Sequence, residues 1–115
     1  TRARPPGASS SRSRASSERS FGEPAHWEAD YAWYARAKAR VAWREQASLR
    51  DLLAHAPQRL RDDDIRVEGA VFDQGLVVAA SGAQPWYDHA IACCAIALIG
   101  ATLRHASELA ASDTA

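Results

Sequence analysis

Residues 65–80 read IRVEGAVFDQGLVVAA, and this stretch decides the fold that we expect for the chain. Two runs rich in β-branched and apolar residues flank the turn Asp73-Gln74-Gly75. This pattern is typical of an antiparallel β-hairpin, because glycine readily adopts the positive φ of a tight turn. Gly69 indicates a bulge or a close approach of two backbone segments. Since a two-stranded sheet alone is marginally stable in water, we expect helices or a second copy to cover it.

The segment before the hairpin has the pattern of one long amphipathic helix. Apolar and aromatic residues, Tyr34 and Val41 among them, recur at spacings of three, four and seven from residue 24 to residue 56. Pro57 ends the pattern because it lacks a backbone N–H. A helix of this length measures about 45 Å. It would therefore overhang a single hairpin, bend, or run along a second subunit.

The segment after the hairpin predicts a second helix from about residue 86 to residue 109. Its small residues form one stripe, and its large apolar residues spread over the other sides. A helix that is apolar nearly all round is typically a core helix, so we expect it to be buried over the hairpin. The small residues are Ala90, Cys94, Ala97 and Ala101, and the large ones are Ile91, Ile96, Leu98, Ile99 and Leu103.

The predicted fold class is therefore α+β, in the order α-β-β-α, with a long N-terminal helix, a β-hairpin and a buried C-terminal helix. Residues 1–22 form a predicted disordered tail, because this Arg/Ser-rich segment has too little apolar surface to offset the entropy of ordering. Residues 23–115 form a single predicted domain. The tail is basic, with a net charge of about +4 over residues 1–20, and the rest of the chain balances it.

A basic and aromatic face on the first helix is the predicted partner-binding site. Five of its residues fall within an arc of roughly 100° at helical spacing. Arginine binds phosphates and carboxylates, and tryptophan stacks on bases or anchors protein interfaces. An ordinary solvated face, with arginine stems lying over the tryptophans, is the alternative. The residues are Trp33, Arg36, Arg40, Trp43 and Arg50.

Two charged residues, Lys38 and Glu45, interrupt the apolar stripe of the first helix. They are too far apart to pair within one helix, and an unpaired buried charge is costly. Across an antiparallel dimer of this helix, Lys38 of one chain would meet Glu45 of the other, with Tyr34 and Val41 beside them. The alternative is that Lys38 extends to solvent at an edge.

No catalytic site, cofactor or metal site is predicted. His89 and Cys93, at i and i+4, make half of a metal site whose other half is missing. The run of aspartates at 62–64 has no regular ligand loop around it. Ser81 follows a strand without a nucleophile motif, so a small enzyme with a site near Ser81 and His89 remains only an alternative.

The predicted function is a small non-enzymatic binding or assembly protein, homodimeric or part of a larger complex, whose partner is itself or another protein subunit. The nucleic-acid alternative uses the Arg/Trp face of the first helix together with the basic tail. We expect a cytoplasmic bacterial protein, because arginine far outnumbers lysine and no signal peptide or disulfide framework is visible. The 14-residue apolar run from residue 90 to residue 103 is too short for a bilayer, so no membrane partner is expected. The tail arginines are Arg2, Arg4, Arg12, Arg14 and Arg19.

Overall fold

The computed structural model describes residues 17–19 and 30–114, and within them the protein is a mixed α+β fold. Three α-helices accompany one two-stranded antiparallel sheet, which confirms the predicted class and hairpin. The predictions for residues 1–16 and 20–29 lie outside the described residues. The elements are α1 Tyr31–Glu45, α2 Leu49–His55, a 3₁₀ turn Pro57–Arg59, β1 Ala70–Asp73, β2 Leu76–Ala79 and α3 Pro85–Thr114.

The hairpin closes through a two-residue turn. Asp73 pairs with Leu76, and the intervening Gln74 and Gly75 both have positive φ, 48° and 80°. Two consecutive residues of positive φ match the right-handed twist of the strands, which is why such turns dominate short hairpins. The register from Ala70↔Ala79 to Asp73↔Leu76 then sends alternate side chains to opposite faces of the sheet.

The predicted first helix is not continuous: of the three alternatives for its length the chain adopts the bend, which divides it into α1 and α2. Gln46 adopts a left-handed conformation with φ 54° and ψ 44°, and its N–H caps the end of α1. Ser48 then begins α2, and its hydroxyl oxygen accepts a hydrogen bond from the Phe72 N–H at 3.0 Å. The apolar stripe continues through the break, because Leu49 and Leu52 of α2 are buried.

The hairpin lies between two layers of helices. Its first face carries Ala70, Val77 and Ala79, which pack with buried residues of α1 and α2. Its second face carries Val71, Leu76 and Val78, which pack against Ala92 and Ile96 of α3. The core on the first face is completed by Val41, Ala42, Leu49, Leu52 and Leu60.

The expectation of a buried C-terminal helix was wrong. Of the large apolar residues expected in the core, Ile96 is buried, whereas Ile91, Leu98, Ile99 and Leu103 are exposed. The hairpin covers only one side of α3, and Ile91 and Leu98 lie on the opposite side. The lengths also differ, because four-residue strands measure about 13 Å and the 30 residues of α3 measure about 45 Å. The hairpin therefore covers one side of the first turns of α3, and the rest of the helix overhangs it.

Candidate functional site

A buried ion pair joins α1 to the first turn of α3. Lys38 Nζ lies 3.2 Å from Asp88 Oδ2 and donates to the Ala80 carbonyl oxygen at 3.0 Å. The Ala83 N–H donates to the other Asp88 oxygen at 3.1 Å. Lys38 and Asp88 are almost fully buried, at 2% and 3% exposure. Each charge thus has hydrogen bonds as well as a partner, which is what makes a buried pair tolerable.

Gly69 provides the space for this ion pair. A Cβ added there would lie 2.7 Å from both Lys38 Nζ and the Ala80 carbonyl oxygen. Its φ of 136° is also rarely accessible to other residues. The sequence predicted a bulge or a close approach at this residue, and the structure contains the close approach.

The contacts of Lys38 and Glu45 remove the argument for pairing them across a dimer. Lys38 is satisfied by Asp88, and Glu45 accepts hydrogen bonds from Arg44 at 2.7 Å and from Arg59 at 3.0 Å. Lys38 and Val41 are buried in their own chain, so neither presents a surface to a second molecule in this fold. The expected cross-dimer salt bridge is therefore replaced by contacts within the chain.

An ionic cluster at the α1–α2 joint is structural. Arg44 donates to Asp64 Oδ1 at 2.9 Å, and Asp64 also accepts from the Arg61 N–H at 2.7 Å. Hydrogen bonds from Arg44 lower the pKa of both Asp64 and Glu45, and Asp64 in turn raises the pKa of Arg44. The carboxylate of Asp64 therefore anchors residues 61–64 to Arg44 of α1.

The predicted basic and aromatic face is divided by the helix break. Trp33 and Arg40 are exposed on α1, and Trp43 is half-buried. The Arg36 side chain forms an ion pair with Glu18 at 2.9 Å. Arg50 belongs to α2, so it does not share the arc with the residues of α1. Trp33, Arg36, Arg40 and Trp43 remain a predicted binding surface on α1, whereas Arg50 lies on the separate helix α2.

The basic tail is mostly outside the described residues. Arg19 is described, whereas Arg2, Arg4, Arg12 and Arg14 are not. The nucleic-acid alternative therefore stays a prediction.

An apolar seam runs along α3 on the side that faces away from the hairpin. Its members follow one another at spacings of four, three, four, three and four residues, and all are exposed. Tyr87 is 59% exposed, Ile91 52% and Leu98 71%. No charged residue occurs from residue 90 to residue 103. We call this set the outward seam: Tyr87, Ile91, Cys94, Leu98, Ala101 and His105.

Spacings that alternate between four and three are the pattern of a helix that packs on another helix. An exposed apolar surface of this extent typically marks an interaction site. The spacing was visible in the sequence, but composition alone suggested that α3 was buried on every side. Which side the hairpin covers became clear only from the fold.

The segment Pro85–Asp113 of α3 is also long and apolar enough to cross a membrane, by length and composition alone. Its mean hydropathy reaches 1.5 over an 18-residue window. The side of α3 that contacts the hairpin, however, carries Asp88 and His89, both buried against the rest of the fold.

His89 and Cys93 form a close pair on this inner side. Their Nε2 and Sγ atoms are 3.3 Å apart, and His89 Nδ1 has no hydrogen-bond partner among the described residues. Burial lowers the pKa of His89, and the positive charge of Arg50 lowers it further. No group of three or more His, Cys, Asp or Glu side chains in the described part of the chain could hold a metal ion.

A shallow open groove of about 360 Å³ lies between the hairpin turn and α3, and it shares Ala101 with the outward seam. Neither Ser81 nor His89 lines it, so it does not support the enzyme alternative at those residues. Its lining residues are Asp73, Gln74, Ile96, Ala97, Gly100, Ala101 and Arg104.

Comparison with known proteins gives no relative from which to transfer a function. The chain matches no protein-family model, no curated protein and no solved structure at a significant level.

Proposed function

We propose that the protein is a small non-enzymatic assembly protein that binds a helical partner through the outward seam of α3, as a homodimer or as a subunit of a larger complex. The observation that carries this proposal is the exposed seam, with Leu98 at its centre and 71% exposed. A stable fold gains nothing by leaving such a side chain in water. A partner helix that covered it would recover the free energy of burial.

The gain from covering the seam is substantial. Full burial of a side chain such as leucine or isoleucine contributes about 1.5–3 kcal/mol. Tyr87, Ile91 and Leu98 are each more than half exposed, so together they offer roughly several kcal/mol to a partner. Association consumes part of this gain in lost translational and rotational freedom. A reversible complex is the expected result.

A protein partner fits α3 better than a lipid bilayer does. A spanning helix meets lipid on the sides that no other protein element covers, whereas the inner side of α3 is bonded to the rest of the fold through Asp88. Insertion of α3 alone would separate Asp88 from Lys38 and leave two unpaired charges. The small residues Cys94 and Ala101 on the seam allow another helix to approach closely.

Sedimentation velocity of the full chain over a concentration series tests this proposal. We expect the wild type to sediment as more than one chain at high concentration and Leu98→Asp to sediment as a monomer. Ser107→Asp is the matched control, because it places the same charge on the exposed side of α3 away from the seam. It is expected to behave as the wild type does.

Two results count against the proposal. A wild type that stays monomeric at every concentration overturns its homodimer form. A wild type that leaves solution with phosphatidylcholine vesicles in a flotation assay overturns it as a whole, since this would assign the seam to a membrane surface. Circular dichroism of each variant checks that α3 remains helical.

A further inference from the structure

We infer that the partner of the outward seam is a second copy of α3, running antiparallel and centred near Ile96. This inference rests on the proposed function, because it identifies the partner for the same surface. It is carried by the order of large and small residues along the seam and by the charge at the end of α3.

The seam alternates between large and small residues in a self-complementary order. In an antiparallel pair centred near Ile96, Ile91 faces the partner's Ala101. Cys94 then faces the partner's Leu98, and Tyr87 faces the partner's His105. In each of the inner layers a large side chain meets a small one, which lets the two helices interdigitate at constant separation. The two-fold axis repeats every layer on the other side of the centre.

The parallel arrangement lacks this fit. In register, it would place Leu98 against the partner's Leu98 and Ala101 against the partner's Ala101, so that wide and narrow layers alternate. The next seam position after His105 is Glu108, which would face the partner's Glu108. Like charges at facing positions are unfavourable. In the antiparallel arrangement Glu108 lies beyond the start of the partner's helix.

The area of the seam corresponds to a weak, reversible dimer. From Tyr87 to His105 the helix measures about 27 Å, and its width with side chains is about 10 Å. Two such surfaces of about 270 Å² have a total footprint of roughly 540 Å², which is below the roughly 1,200 Å² of stable interfaces and in the range of transient ones. We therefore expect an equilibrium between monomer and dimer that depends on concentration.

Cysteine cross-linking distinguishes the two directions. In a background with Cys93→Ala and Cys94→Ala, one chain carries Ile91→Cys and another carries Ala101→Cys. The antiparallel pair places residue 91 opposite the partner's residue 101, within the Cα separation of about 7 Å that a disulfide requires. Each residue is about 15 Å along the axis from its own copy. Mild air oxidation should cross-link the mixture and neither variant alone.

Each outcome of this experiment has a definite meaning. Cross-linking confined to the mixture, and lost when Leu98→Asp is added to both chains, supports the inference. Cross-linking of either single variant with itself indicates the parallel direction and overturns it. If no mixture cross-links although the same background sediments as a dimer that Leu98→Asp abolishes, the antiparallel register is wrong and the proposed function stands. A background chain that sediments as a monomer while the wild type dimerises is replaced by a Cys93→Ala/Cys94→Ser background, whose mixture decides the register in the same way. A wild type that sediments as a monomer at every concentration overturns the inference and the homodimer form of the proposed function.

Discussion

α1 and α3 cover opposite faces of the same hairpin, but they use it differently. α1 has 15 residues, begins at the N-cap Asp30 and ends at the left-handed Gln46. Its buried residues face the hairpin, and exposed Arg36 and Arg40 lie on its outer side. α3 has 30 residues, and its outer side carries the exposed outward seam.

The contrast shows that the side and the length of helix that the hairpin covers, more than helix composition, decide how much of each helix is buried. Gln46 ends α1, and α2 then returns Leu49 and Leu52 to the core. No comparable stop occurs in α3, which continues beyond the sheet. Its surplus apolar surface is the feature on which the proposed assembly function depends.

The largest loss of stability is expected at the Lys38–Asp88 ion pair that joins α1 to α3. Asp88→Ala leaves Lys38 buried without its ion-pair partner, and breaking a buried pair in this way costs about 3–5 kcal/mol. Urea unfolding measures the loss. The double variant Lys38→Met/Asp88→Leu removes both charges and is expected to recover most of the stability. A loss of less than about 1 kcal/mol in the single variant would show that Lys38 reaches water.

Gly69, next to the hairpin, and Gly100, on α3, are expected to change stability in opposite directions when each is replaced by alanine. Gly69→Ala is expected to cost more than about 1 kcal/mol, since its positive φ and its contact with Ala80 both oppose a Cβ. A Cβ at Gly100 would meet nothing within 4 Å, and the residue lies in a helix. Gly100→Ala is therefore expected to raise the free energy of unfolding by about 0.5–1 kcal/mol. Thermal unfolding of both variants checks the opposite signs. Equal effects would contradict the close approach at Gly69.

The N-cap Asp30 of α1 is expected to contribute about 1 kcal/mol to the free energy of unfolding. Asp30 accepts a hydrogen bond from the Trp33 N–H at 3.0 Å, so Asp30→Ala removes a partner of the first turn. Asp30→Ser retains an acceptor and is the matched control. Denaturant unfolding compares the two variants, and an equal loss in both would mean that the cap does not stabilise α1.

The smallest effect is expected from the protonation of His89. Because burial lowers its pKa in the folded state, the unfolded chain binds the proton more tightly. The stability contributed by neutral His89 is complete above about pH 6.5 and is lost as the pH falls through the folded-state pKa. Arg50, Asp51 and Glu68 are the charged groups that influence it. The sign of the effect is therefore a lower stability at pH 5.5 than at pH 7.5.

Urea midpoints of the wild type and of His89→Gln at these two pH values test this dependence. Glutamine stays neutral, so the difference between the two pH values is expected to shrink in the variant. Glu45 and Asp64 also have lowered pKa values, but those carboxylates titrate in a more acidic range. A difference that is unchanged in the variant would exclude His89 as its source.

The sequence predicted the hairpin and its turn, because Gly75 and the flanking β-branched residues are strong local signals. It did not predict the break at Gln46, since neither glycine nor proline marks it and the apolar stripe continues into α2. The outward seam of α3 was predicted only in part. The small residues of α3 were noticed, but the exposure of Leu98 depends on which side of α3 the hairpin covers, which helical periodicity does not encode.

The central claim is that the outward seam of α3 is covered by another copy of the chain, and the thiol reactivity of Cys94 tests it most directly. In a Cys93→Ala background, the rate of alkylation at Cys94 is measured over a series of protein concentrations. We expect the rate to fall as the concentration rises, and to stay fast at every concentration when Leu98→Asp is added. A rate for the parent that does not change with concentration would contradict the claim.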